Sequence, residues 1–129
     1  MKAKTSVLYF DDEAMLLRLF REMFGDDYDV RTAATLSEAR QELSRLPDVI
    51  ISDLLMPEIS GTDFLRLAAQ LCPDCGRVLL TGQGHVGDVL REISTGVVQV
   101  FITKPWTEAE MRAALERAAT DKRRSHPKP

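Results

Sequence analysis

Cysteine is scarce in this chain. Its 129 residues carry only Cys72 and Cys75, in the spacing C-x-x-C. Two thiolates cannot complete a tetrahedral zinc site, and the two histidines, His85 and His126, do not stand at finger spacing. A redox pair normally opens a helix after a strand, whereas these cysteines follow the expected end of a helix. Reduced thiols in a helix-to-strand turn are therefore expected. Long apolar runs are missing too. No segment approaches the roughly 20 residues of a membrane-spanning helix, and no signal-peptide core follows Met1-Lys2-Ala3-Lys4-Thr5. A cytoplasmic protein without membrane contact is the expectation. Excess charge of one sign is also lacking: the formal net charge is −3, which gives no reason to expect direct nucleic-acid binding.

What is present is an ordinary globular mixture, 44% hydrophobic and 29% charged, long enough for one domain. The stretch Val49-Ile50-Ile51-Ser52-Asp53 is its centre. An apolar, β-branched run after Pro47-Asp48 reads as a strand buried on both faces of a parallel sheet. It ends on a carboxylate, and Pro57 forbids further ladder pairing. Ligand crevices in open α/β sheets lie beyond those carboxyl ends, so Asp53 stands in a functional place.

The rest of the chain alternates strand and helix. Ser6 to Phe10, Tyr28 to Ala33, Arg77 to Thr81 and Gln99 to Thr103 read as the other strands. The first helix is expected to present Met15, Leu16, Leu19, Phe20 and Met23, with Gly25 after its end. Thr35-Leu36-Ser37-Glu38 is a capping box opening a helix with Leu36, Ala39, Leu43 and Leu46 as its stripe. The third helix carries Phe64, Leu65, Ala68 and Leu71, and the fourth Val86, Val89, Leu90 and Ile93 behind a loop containing Gly82, Gly84 and Gly87. A second capping box, Thr107 to Glu110, starts a helix with Met111, Ala114, Leu115 and Ala118 inside. Residues 1–120 make the domain. Residues 121–129 are read as a basic, proline-containing tail or truncated linker. The pattern predicts a doubly wound five-stranded parallel sheet with five helices.

That topology gathers Asp11 and Asp12 after the first strand, Asp53 after the third, Thr81 after the fourth and Lys104 after the fifth. Three converging carboxylates repel one another, and a divalent cation relieves the repulsion. All-oxygen ligation favours Mg²⁺ or Mn²⁺. A carboxylate nucleophile beside such an ion suits phosphoryl transfer to an aspartate, with Lys104 as a second positive charge and Thr81 as a hydrogen-bond donor.

Together, Asp11-Asp12-Glu13, Asp53-Leu54-Leu55-Met56-Pro57, Leu80-Thr81-Gly82 and Lys104-Pro105 resemble the receiver domain of two-component response regulators, from about Ser6 to Ala119. The resemblance implies a flavodoxin-like strand order, 2-1-3-4-5. It implies Asp53 as phospho-acceptor and Asp12 as a direct Mg²⁺ ligand, with Asp11 holding the ion's water. It also implies the Leu55 backbone carbonyl as a further ligand and Lys104 bridging the phosphoryl group and Asp53. Pro105 is expected to follow a cis peptide bond. Thr81 and Phe101 are the implied switch residues, reshaping the face made by the fourth helix, fifth strand and fifth helix. The implied partners are a histidine kinase or histidine phosphotransfer protein as donor, and an output domain or protein at that face, where a homodimer could also form. Two positions depart from the commonest pattern: Leu55 is apolar and Gln83 uncharged where an attacking water would approach, so slow autodephosphorylation is expected. Phe10 is bulkier than the aliphatic residue usual before the aspartate pair.

Other classes stay open on the sequence. An aspartate-dependent phosphohydrolase also uses a carboxylate on such a sheet, though it calls for an acid where Leu55 stands and for a substrate cap. A phosphate-independent interaction module is the third.

Overall fold

A computed structural model of the chain describes residues 4–124, without the side chains of Gln83, Asp88 and residues 121–124. Five strands alternate with five helices: β1 (Ser6–Phe10), α1 (Ala14–Phe24), β2 (Asp29–Ala33), α2 (Leu36–Leu43), β3 (Val49–Asp53), α3 (Gly61–Leu71), β4 (Gly76–Thr81), α4 (Val86–Ser94), β5 (Val100–Thr103) and α5 (Glu108–Arg124). Every strand pair is parallel, in the order β2-β1-β3-β4-β5. This is the flavodoxin-like order expected. The β-branched run of β3 is buried at all five positions, as a strand covered on both faces must be.

Alternation along the strands divides the core in two. Val7, Tyr9, Val49, Ile51, Val78 and Leu80 face α1 and α5, meeting Phe20, Phe24, Met111 and Leu115. Leu8, Phe10, Ile50 and Leu79 face the other way, onto Ala39, Leu43, Phe64, Leu65 and Val89. Phe10, bulky as it is, fits: its ring meets Phe64 edge-on at 4.8 Å.

The second expected capping box forms reciprocally; in the first, Thr35 caps α2 but Glu38 reaches back one residue further, to Ala34. Thr35 Oγ1 accepts from Glu38 N–H, while Glu38 Oε1 accepts from Ala34 N–H. Thr107 and Glu110 exchange bonds reciprocally, at 3.1 and 2.8 Å. Such caps satisfy amide groups the first helical turn leaves unpaired.

Several expected core residues lie outside the core. Met15 is 82% exposed and Leu19 44%, because the sheet takes the Leu17, Phe20 and Phe24 side of α1 instead. Leu46 falls beyond the end of α2, in a left-handed conformation (φ 56°) and exposed. Leu71 and Leu90 also point outward. α5 continues to Arg124, past the change of composition at Asp121; residues 125–129 of the expected tail lie outside the described part.

At the sheet's far end, Arg77 is buried. Its guanidinium donates to the carbonyls of Val97 (2.8 Å), Cys75 (2.9 Å) and Gly96 (3.2 Å), tying the α3–β4 turn to the α4–β5 loop. Cys72 and Cys75 are free and buried there. Burial, then the neighbouring Cys72, pushes the Cys75 thiol up to about 12, which disfavours the thiolate.

Candidate functional site

Strand register builds the site. β1 pairs with β3 up to Phe10↔Ser52, β3 with β4 up to Asp53↔Leu80, and β4 with β5 up to Thr81↔Thr103. Asp11, Asp53, Thr81 and Lys104 therefore end their strands along one edge. Beyond Asp53 the chain turns sharply: Leu54 N–H donates to Leu80 O and Leu54 O accepts from Gly61 N–H, both at 2.8 Å. Gly61 is needed here, since a Cβ on it would overlap the backbone carbonyl of Asp53. The N-terminus of α3 thus packs directly on the peptide of Asp53.

Asp11, Asp12 and Asp53 each bring a carboxylate oxygen within 4.8 Å of the others. Asp11 and Asp53 are buried and Asp12 is exposed. Hard oxygen donors at this spacing, with one side open to water, fit a small divalent cation that keeps several of its waters. Lys104 Nζ lies 2.8 Å from Asp53 Oδ1 and 3.8 Å from Asp11 Oδ2. Its backbone N–H is held by Thr81 O at 2.9 Å, and the Lys104–Pro105 peptide bond is cis.

Electrostatics follow from this crowding. Burial pushes the Asp53 carboxyl above its ordinary range; Lys104 opposes that rise, and Asp11 and Asp12 add to it. Burial would lower the Lys104 ammonium, but the hydrogen bond and charge of Asp53, then Asp11 and Glu13, raise it overall. The lysine stays charged beside these carboxylates.

Thr81 is buried at the end of β4, its hydroxyl donating to Gly82 O at 3.1 Å. Phe101 is half-buried on the α4 side of β5. Leu55 is 62% exposed at the turn after Asp53. Beside the acidic cluster, Glu13, Leu16, Leu19, Met23, Lys104, Pro105 and Trp106 line a largely apolar groove of about 470 Å³.

Tyr9 escaped the sequence reading. It reads as one more residue of an apolar strand, yet its hydroxyl donates to Asp11 Oδ2 at 2.7 Å. Burial first, then Asp11, pushes its phenol far upward, so it remains a donor. Its spacing was the available signal: residues two apart on a strand share a face, so a phenol at position 9 reaches a carboxylate at position 11.

The response regulator receiver domain model matches residues 7–116. The chain is 25% identical to the hydrogenase transcriptional regulatory protein HoxA of Bradyrhizobium diazoefficiens, over 92% of this chain and 24% of that protein. It is 31% identical to the C4-dicarboxylate transport transcriptional regulatory protein DctD of Pseudomonas aeruginosa, over 90% of this chain and 25% of that protein. Among solved structures, a response regulator receiver domain protein from Clostridium thermocellum superposes with a TM-score of 0.85. That pair is 26% identical, with 95% of this chain and 99% of the other covered. The chain thus spans about a quarter of each of these two transcriptional regulators.

Proposed function

The chain belongs to the response regulator receiver domain family, and from that premise we propose that Asp53 accepts a phosphoryl group with Mg²⁺ bound and so switches a partner. The observation that carries this is the meeting of the Lys104 ammonium, 2.8 Å from Asp53 Oδ1, with three carboxylates whose oxygens lie within 4.8 Å. Asp12 and Asp53 would hold the cation with the Leu55 carbonyl, and Asp11 its water; Mn²⁺ suits the same oxygens. The bound cation supplies positive charge to the transferred phosphoryl oxygens.

The donor is a phosphohistidine on a kinase or phosphotransfer protein. An Asp53 oxygen forms the new P–O bond as the donor's P–N bond breaks, its electron pair staying on the leaving imidazole. Lys104 moves from the free carboxylate toward the new phosphoryl oxygens, whose charge exceeds that of the carboxylate. Thr81 then has a strong acceptor in reach if its hydroxyl leaves Gly82 O. Inward movement of Thr81 frees space for Phe101, which lines a groove of about 370 Å³ with Val100, Thr103, Glu110, Ala113 and Arg117. That groove belongs to the α4–β5–α5 face, where an output domain, a separate protein or a second copy would read the change.

The named relatives are transcriptional regulators, which supports an output domain in a longer protein, with residues 1–120 as receiver and 121–129 as tail or linker. A cytoplasmic location fits that role, and no described helix is long and apolar enough to cross a membrane. Leu55 offers no hydrogen bond to an attacking water, and slow autodephosphorylation follows; loss of the phosphoryl label from Asp53 after acetyl phosphate is removed measures it. An aspartate-dependent phosphohydrolase would need an acid at that position.

Trp106, half-buried beside Lys104, is the reporter. Its fluorescence is expected to change saturably with Mg²⁺ and again with beryllofluoride, a phosphoryl mimic. Asp53→Asn should abolish the second change. A beryllofluoride response that survives Asp53→Asn would refute the assignment.

A further inference from the structure

Tyr9 is fully buried, and its ring packs on Phe20 with centroids 5.0 Å apart. Phenylalanine would serve that packing equally well, so the hydroxyl needs its own explanation. It donates to Asp11 Oδ2 at 2.7 Å, while Glu13 N–H donates to Asp11 Oδ1 at 3.0 Å. With one donor on each oxygen, the carboxylate cannot rotate without breaking a hydrogen bond. Its remaining lone pairs are thereby aimed.

Lys104 adds a second consequence. Its ammonium is 3.8 Å from the same Asp11 Oδ2 but 2.8 Å from Asp53 Oδ1. Asp11 is 0% exposed, and a buried carboxylate oxygen demands a donor. Were the phenol absent, the nearest side chain able to meet that demand is Lys104, which would be drawn off Asp53.

The geometry points to Tyr9 as a positioning residue of the phosphoryl pocket: its hydroxyl fixes Asp11 for the cation and leaves the Lys104 ammonium on Asp53. This rests on the reading of Asp11, Asp12 and Asp53 as a cation site. Tyr9 touches none of the reacting atoms and acts only through Asp11.

The test compares Tyr9→Phe with Phe20→Leu, which disturbs the same aromatic packing and keeps the hydroxyl. Mg²⁺ affinity is measured by titration calorimetry on folded, metal-free protein. Labelling by acetyl phosphate is then timed at saturating Mg²⁺. Tyr9→Phe is expected to weaken Mg²⁺ binding about 10-fold, the lower end of the scale for losing a hydrogen bond that orients the side chains around a metal site. It should also slow labelling after saturation, because Lys104 is displaced. Phe20→Leu is expected to lower the thermal midpoint and change neither quantity. Wild-type affinity and rate in Tyr9→Phe would overturn the inference alone, as would equal losses in Phe20→Leu. A wild-type protein that binds no Mg²⁺ would overturn the cation-site reading and this inference with it.

Discussion

Lys104→Met is expected to slow phosphoryl transfer from acetyl phosphate to Asp53 by about 10²–10³-fold, the scale for losing one preorganised charge in a reacting site. Methionine keeps an unbranched stem in the pocket and removes only the ammonium that lies 2.8 Å from Asp53 Oδ1. The same variant should change how stability depends on pH. Burial already raises the Asp53 carboxyl, and Lys104 is what opposes the rise. Without it the folded carboxyl titrates higher still. A group raised on folding contributes stability that is full below its unfolded pKa and is lost as pH rises through its folded pKa. Metal-free Lys104→Met should therefore lose stability from acid toward neutral pH more steeply than wild type. In wild type the raised Lys104 contributes stability that fades only as pH climbs past the ordinary lysine range. Denaturant melts in chelator across pH check both signs. A wild-type labelling rate in Lys104→Met would remove the lysine from the reaction.

Gly61→Ala is expected to cost about 2–3 kcal/mol, by the usual penalty for overfilling a packed site. The new methyl would overlap the Asp53 carbonyl oxygen and stand 2.8 Å from Leu79 Cδ1. A flexible side chain could yield, but a strand carbonyl cannot. The start of α3 would have to lift from β3, breaking the 2.8 Å bond from Gly61 N–H to Leu54 O. The thermal midpoint should fall by roughly 10 °C, and labelling of Asp53 should fall with it because its peptide is displaced. Gly82→Ala is the control: a Cβ there meets nothing within 4 Å, and little change is expected. Equal midpoints for the two variants would mean that the contact is not tight.

The strands and the site edge were legible because their signals are local. A β-branched run such as Val49-Ile50-Ile51 is apolar on both faces, and Asp11, Asp53 and Lys104 each follow directly from such a run. What was illegible depends on neighbours. Apolar residues cover much of the circumference of α1, so the helix alone does not say which side meets the sheet; Leu17 and Phe24 won over Met15 and Leu19. Leu46 keeps helical spacing, but the chain reverses before it. Arg77 reads as the polar start of a strand, and only tertiary structure brings the carbonyls of Cys75, Gly96 and Val97 to it. Tyr9 reads as apolar until its hydroxyl is seen on Asp11.

The most direct measurement is to treat the protein with acetyl phosphate and Mg²⁺, trap acyl phosphates with borohydride, and map the modified peptide by mass spectrometry. Modification at Asp53 alone, absent in chelator and absent in Asp53→Asn, is the expected result. An unmodified Asp53 in protein that binds Mg²⁺, or modification that persists in Asp53→Asn, would contradict its assignment as the phospho-acceptor.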